Sequence, residues 1–132
     1  SSAVLPGYVA SADMMQRLRD LLSLWSLIRR FASAGQSWTA DGSAKISLPT
    51  QSAAEAFFRA FPSTKALPKI APDGEGGLMM IWEGNDPLLV TIDERQLHAV
   101  ISAATPRARY LDNIAFDYIN FPPEILSFVP NR

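Results

Sequence analysis

Residues 67–93 read LPKIAPDGEGGLMMIWEGNDPLLVTID. Two clusters of turn formers, Asp73-Gly74-Glu75-Gly76-Gly77 and Gly84-Asn85-Asp86-Pro87, divide this stretch into short β-type runs. Runs separated in this way specify an antiparallel meander. Leu78, Met80 and Trp82 alternate onto one face, as do Leu88, Val90 and Ile92. After the turn Asp93–Gln96, Leu97, Ala99, Ile101 and Ala103 make a third such face. The opposite positions are mixed, so one face is core and the other is half-wet or covered. Pro68 and Pro72 cannot donate to a ladder, which makes Leu67–Ala71 an edge strand.

Downstream, Arg109–Ile119 suits a fifth strand interrupted at Asp112-Asn113. Pro122-Pro123 then opens a short helix, Pro123–Val129. Upstream, Ser11 is a candidate N-cap with Asp13 in the first turn. A helical pattern continues from there to about Ser33, and Gly35 offers a stop. Its polar stripe is Gln16, Arg19, Asp20, Ser23, Ser26, Arg30 and Ser33, and nearly everything else is apolar. That is a wider apolar arc than the ~100° a surface helix needs. Residues 1–10 read as a flexible arm. Ser52-Ala53-Ala54-Glu55 matches a capping box for a helix ending at Phe61. In that helix Ala54, Phe57, Phe58 and Phe61 face inward, with Glu55 and Arg59 paired outside. The expected architecture is one α+β domain over residues 11–132. It has a long N-terminal helix, a short second helix, a four- to five-stranded antiparallel meander and a short C-terminal helix.

The 132 residues are 48% hydrophobic, enough for one real core. A net charge of −1 gives no general attraction to nucleic acid or anionic membrane. The absence of cysteine excludes disulfides and fits the cytoplasm. No apolar run is long enough to cross a bilayer.

The order Trp38, Asp41-Gly42, an Ala/Phe helix over 53–61, Pro68-Lys69-Ile70-Ala71-Pro72, Gly76-Gly77 and Trp82-Glu83 resembles a family of small bacterial α+β proteins. The likeness covers roughly residues 20–101. It implies a bacterial protein acting with the product of a neighbouring gene, and it implies no activity.

Candidate chemistry is sparse. His98 is the only histidine, and a single His without Cys makes a poor transition-metal site. As a general base it would need a nucleophile and an orienting partner, and the sequence identifies neither. Asp73–Gly77 lacks the ligand number of a Ca²⁺ loop and the Lys-Ser/Thr of a phosphate loop. Glu83, Asp86, Asp93 and Glu94 stand at hairpin ends, where acids favour turn geometry. Arg17, Arg19, Arg29 and Arg30, with Arg107 and Arg109, are the basic concentrations. Nucleic-acid binding would need them on one face with exposed aromatics.

The sequence therefore points away from an enzyme, and no catalytic residue, metal ligand or cofactor is expected. Surplus apolar surface on helix 11–33 points to a protein–protein interaction or assembly module that associates with itself or with a neighbouring-gene protein. The stripe Leu18, Leu21, Trp25 and Ile28 is expected to meet the sheet. Leu24, Leu27 and Phe31 are then the interface flank, with Trp38 as a further anchor. The alternatives are an antitoxin-like, nucleic-acid-associated regulator and an enzyme with a small pocket near Trp38.

Overall fold

The computed structural model describes residues 6–33, 45–94 and 96–132, with Pro6–Ser11 as backbone only. It is an α+β structure: α1 (Pro6–Ser33), α2 (Leu48–Arg59), β1 (Lys69–Pro72), β2 (Leu78–Trp82), β3 (Leu88–Asp93), β4 (Gln96–Ile101), β5 (Arg109–Ala115) and α3 (Pro123–Leu126). The strands lie in the order β1-β2-β3-β4-β5 with every neighbour antiparallel. This is the meander expected from the turn clusters.

Register follows the pleat. Ile70, Met80, Val90, Ala99 and Leu111 pair in one row across the sheet, and Leu78, Ile92, Leu97 and Ile114 in the next. On the inner face Leu78, Met80, Trp82, Leu88, Val90, Ile92, Leu97 and Ala99 are all buried. Ala103 falls beyond the end of β4 and is half-buried. β1 is an edge strand, as the prolines require. The β1–β2 turn is closed by Asp73, whose Oδ1 accepts from the backbone N–H groups of Glu75 (2.7 Å) and Gly77 (2.9 Å). A Cβ at Gly77 would stand 2.3 Å from Asp73 Oδ2 and 2.9 Å from the Ile92 carbonyl, so glycine is required there by close approach.

β5 departs from the expected Arg109–Ile119. The β4–β5 register shifts between Leu97 and Ala99, and Asn113 has φ 56°. The interruption at Asp112-Asn113 is thus a bulge, with Asn supplying the left-handed residue. The strand stops at Ala115, where Asp117 takes over the chain.

Both helices begin earlier than expected. α1 starts at Pro6, where fixed φ and a missing N–H cost nothing at a helix start. Ser11 is therefore inside the helix, and residues 6–10 of the expected arm are helical. α2 starts at Leu48: Ser47 is its cap, with Oγ accepting from Thr50 N–H at 3.1 Å. Ser52 lies within the helix. Glu55, expected to pair with Arg59, meets Arg29 of α1 (3.7 Å). α3 is the single turn Pro123–Leu126, shorter than expected, and Ile125 and Val129 at its end are fully buried.

The core places Ile28, Phe31 and Ala32 of α1 with Ala53, Ala54, Phe57 and Phe58 of α2 and the inner face of the sheet. α1 packs chiefly on α2, and α2 on β3. Of the stripe expected to meet the sheet, Ile28 lies in this common core and Leu21 and Trp25 pack against it. No described helix is long and apolar enough to cross a membrane.

Candidate functional site

At 28 residues α1 is about 42 Å long, and its two halves have different surroundings. In the C-terminal half Ile28 (0% exposed), Phe31 (5%) and Ala32 are buried. From Met14 to the middle of the helix, Met14 is 65% exposed, Met15 55%, Leu18 50% and Leu22 51%. Leu21 and Trp25 are half-buried between these two sets and pack on the core. One apolar arc thus runs around the helix, and the body of the protein covers only part of it.

The N-terminal half is nevertheless held in place. Arg17 is buried, and its guanidinium donates to the carbonyls of Pro62 (3.0 Å) and Lys65 (2.7 Å). It also lies 5.5 Å from the centre of the Phe61 ring. Burial pulls its pKa below the ordinary arginine value, and nearby Arg132 adds to that effect. Arg132 donates to Asp13 (2.8 Å) and to the Ser63 carbonyl (3.1 Å). Between helix and body lies an open cleft of about 480 Å³, to which Met14, Met15, Leu18 and Leu21 contribute the apolar side chains. Its accessible surface is mainly apolar and suits another apolar side chain, with Asp13, Arg17, Ser63 and Arg132 as its polar groups.

The sequence-expected interface residues fall elsewhere. Phe31 is turned into the chain's own core. Leu24 and Leu27 are half-buried and pack against that core. Trp38 lies outside the described residues. The expected inward stripe is split, because Ile28 is buried while Leu18 faces solvent. A continuous apolar arc sets the width of the wet-to-dry boundary on a helix but not its angle. No residue type in Met14-Met15-Gln16-Arg17-Leu18 marks the exposed set, since Arg17, the charged member, is the buried one.

His98, Glu83 and Asp86 are engaged in structure. His98 Nδ1 accepts from Asn113 N–H (3.3 Å) and stands 3.5 Å from Asp112 Oδ1. That places the imidazole at the β5 bulge as an acceptor for an otherwise unpaired amide. Glu83 is paired with Lys69 (2.6 Å), which lowers the carboxyl pKa and raises that of the amine. Asp86 accepts from Arg107 and, at 3.1 Å, from Ser102, and both hold its pKa down. Arg17, Arg29 and Arg107 thus each have a partner within the chain, and Arg109 rests over the Phe128 ring. Arg17, being buried, adds nothing to a basic surface. Among the described residues no three His, Asp or Glu side chains are grouped to hold a metal ion.

No family model, curated protein or solved structure matches this chain.

Proposed function

We propose that the protein is a non-enzymatic protein–protein interaction module of the bacterial cytoplasm, self-associating through α1. The observation that carries this reading is the stripe Met14, Met15, Leu18 and Leu22, four large apolar side chains each at least half exposed on one helix. Single exposed apolar residues are ordinary, whereas a contiguous set bordered by charge marks a contact surface. Asp13, Arg19 and Asp20 supply that border.

The energetics set the strength of the contact. Full burial of such a side chain is worth roughly 1.5–3 kcal/mol, and about half of that is available here. Two stripes of four residues then offer on the order of 6–12 kcal/mol, against an association cost of ~4–15 kcal/mol. The most favourable balance, about 8 kcal/mol, corresponds to a Kd of about 1 μM, so the contact is micromolar at its tightest and is sought from there upward. Light scattering across that range tests it. The expected result is a mass that rises with concentration, and a Leu18→Glu variant that stays folded and monomeric. A monomeric native chain at every concentration defeats the self-association reading.

A further inference from the structure

Resting on that reading of α1, we infer that the occupant of the stripe is a second copy of this chain, with its α1 antiparallel and crossing near Asp20. Met15, Leu18, Leu22 and Trp25 are spaced three, four and three residues apart. That is the seam spacing of paired helices, in which side chains of one interdigitate with those of the other. Under a two-fold axis at this point Leu18 lies opposite Leu22 of the second copy, and Met15 opposite its Trp25. The seam then pairs apolar with apolar, Leu18 with Leu22 and Met15 with Trp25, and Met14 lies beside it.

Orientation follows from where the body sits. α2 and the sheet pack beside the C-terminal half of α1, where Ile28, Phe31 and Ala32 are buried. A parallel pair would set two bodies abreast at the same end. An antiparallel pair sends them to opposite ends, overlaps the exposed halves and opposes the helix dipoles.

The area agrees with a dimer of modest affinity. Four side chains at half exposure or more give roughly 400 Å² of apolar surface per copy, about 800 Å² per pair. The half-buried flanks Leu21 and Trp25 and the polar rim bring the total to about 1,000–1,200 Å², the lower bound for a stable interface.

The chain contains no cysteine, so introduced thiols report a register without background. Leu18→Cys and Leu22→Cys variants, each at a half-exposed position, are mixed in equal amounts and oxidised, with folding checked by circular dichroism. The antiparallel pair yields the mixed 18–22 disulfide several-fold over either homotypic product. Homotypic 18–18 and 22–22 disulfides in excess overturn this geometry while leaving self-association standing. So does a dimeric mass with no cross-link at either position. On the unmodified chain, amide exchange over residues 12–25 slows as concentration rises. Exchange there that is unchanged in a sample of confirmed dimeric mass overturns the proposal, whereas a monomeric mass defeats the broader reading as well.

Discussion

Trp82 joins three kinds of contact in one side chain. It is 4% exposed, its ring is stacked 6.3 Å from that of Phe61, and Nε1 donates to the Ala66 carbonyl at 2.7 Å. Trp82→Ala removes the ring volume and orphans that carbonyl, for an expected loss of roughly 3–5 kcal/mol. Trp82→Phe keeps most of the packing and should lose about 1–3 kcal/mol. Denaturant midpoints of the two variants separate these contributions, and equal losses would show that the hydrogen bond dominates. Asp117 acts on the backbone instead. Its carboxylate accepts from Ile119 N–H (2.8 Å) and Asn120 N–H (2.7 Å) and holds the turn in which Tyr118 adopts φ 71°. Those hydrogen bonds, led by the Asn120 amide, depress its pKa. A depressed carboxyl binds protons less readily folded than unfolded, so its stabilisation is complete above the unfolded value, about 3.9, and fades as pH falls below it. The melting temperature of Asp117→Ala should fall below that of the native chain at neutral pH. The gap should narrow below about pH 4. A gap independent of pH would assign the effect to the turn rather than to the charge.

At the scale of elements, strands were legible because each has two faces and the alternation names the buried one. Leu78, Met80 and Trp82 needed only a period of two, and the turn clusters fixed where each run stops. The bulge in β5 was legible for the same reason, as Asp112-Asn113 breaks the alternation with a residue that tolerates positive φ. Helix starts were less legible. Ser47 and Ser52 both offer a cap, and Leu48-Pro49-Thr50 reads as a loop until Pro49 is placed in the first turn. The tertiary setting decided between them: Thr50 is buried, and its hydroxyl accepts from Glu94 N–H (3.3 Å) at the β3–β4 turn. The wet side of α1 was the least legible, because it depends on where α2 packs along the helix. Leu27 and Leu18 look alike in the sequence and differ in the fold. Leu27→Glu places a charge against the core cluster and should lower stability by roughly 2–4 kcal/mol. Leu18→Glu reaches solvent and should change stability by less than about 0.5 kcal/mol. Thermal melts of dilute protein make the comparison, and similar losses would place Leu18 in the intrachain core.

Across the whole molecule, stability is graded from the sheet outward. The inner strands are paired on both sides and buried beneath α2, so their amides open only with global unfolding. The N-terminal half of α1 buries little besides Arg17, and its attachment runs through segments 62–66 and 130–132. Ala66 N–H donates to the Pro130 carbonyl (2.8 Å), Arg132 N–H to the Thr64 carbonyl (3.0 Å), and Arg17 to the carbonyls of Pro62 and Lys65. A contact surface mounted in this way can keep its side chains exposed without loosening the core. The arrangement makes Arg17 the clamp between the exposed stripe and the rest of the protein. Arg17→Ala removes two hydrogen bonds from a charged donor and leaves two carbonyls to find water, an expected loss of roughly 2–4 kcal/mol. The loss should be local. Amide exchange over residues 12–22 should accelerate at least tenfold, while β3 and β4 exchange at the rate set by the small fall in global stability. Mass-resolved hydrogen exchange on dilute protein reads both regions in one sample. Equal acceleration in α1 and β3 would mean that the helix and sheet open as one unit, and that the stripe is as rigid as the core.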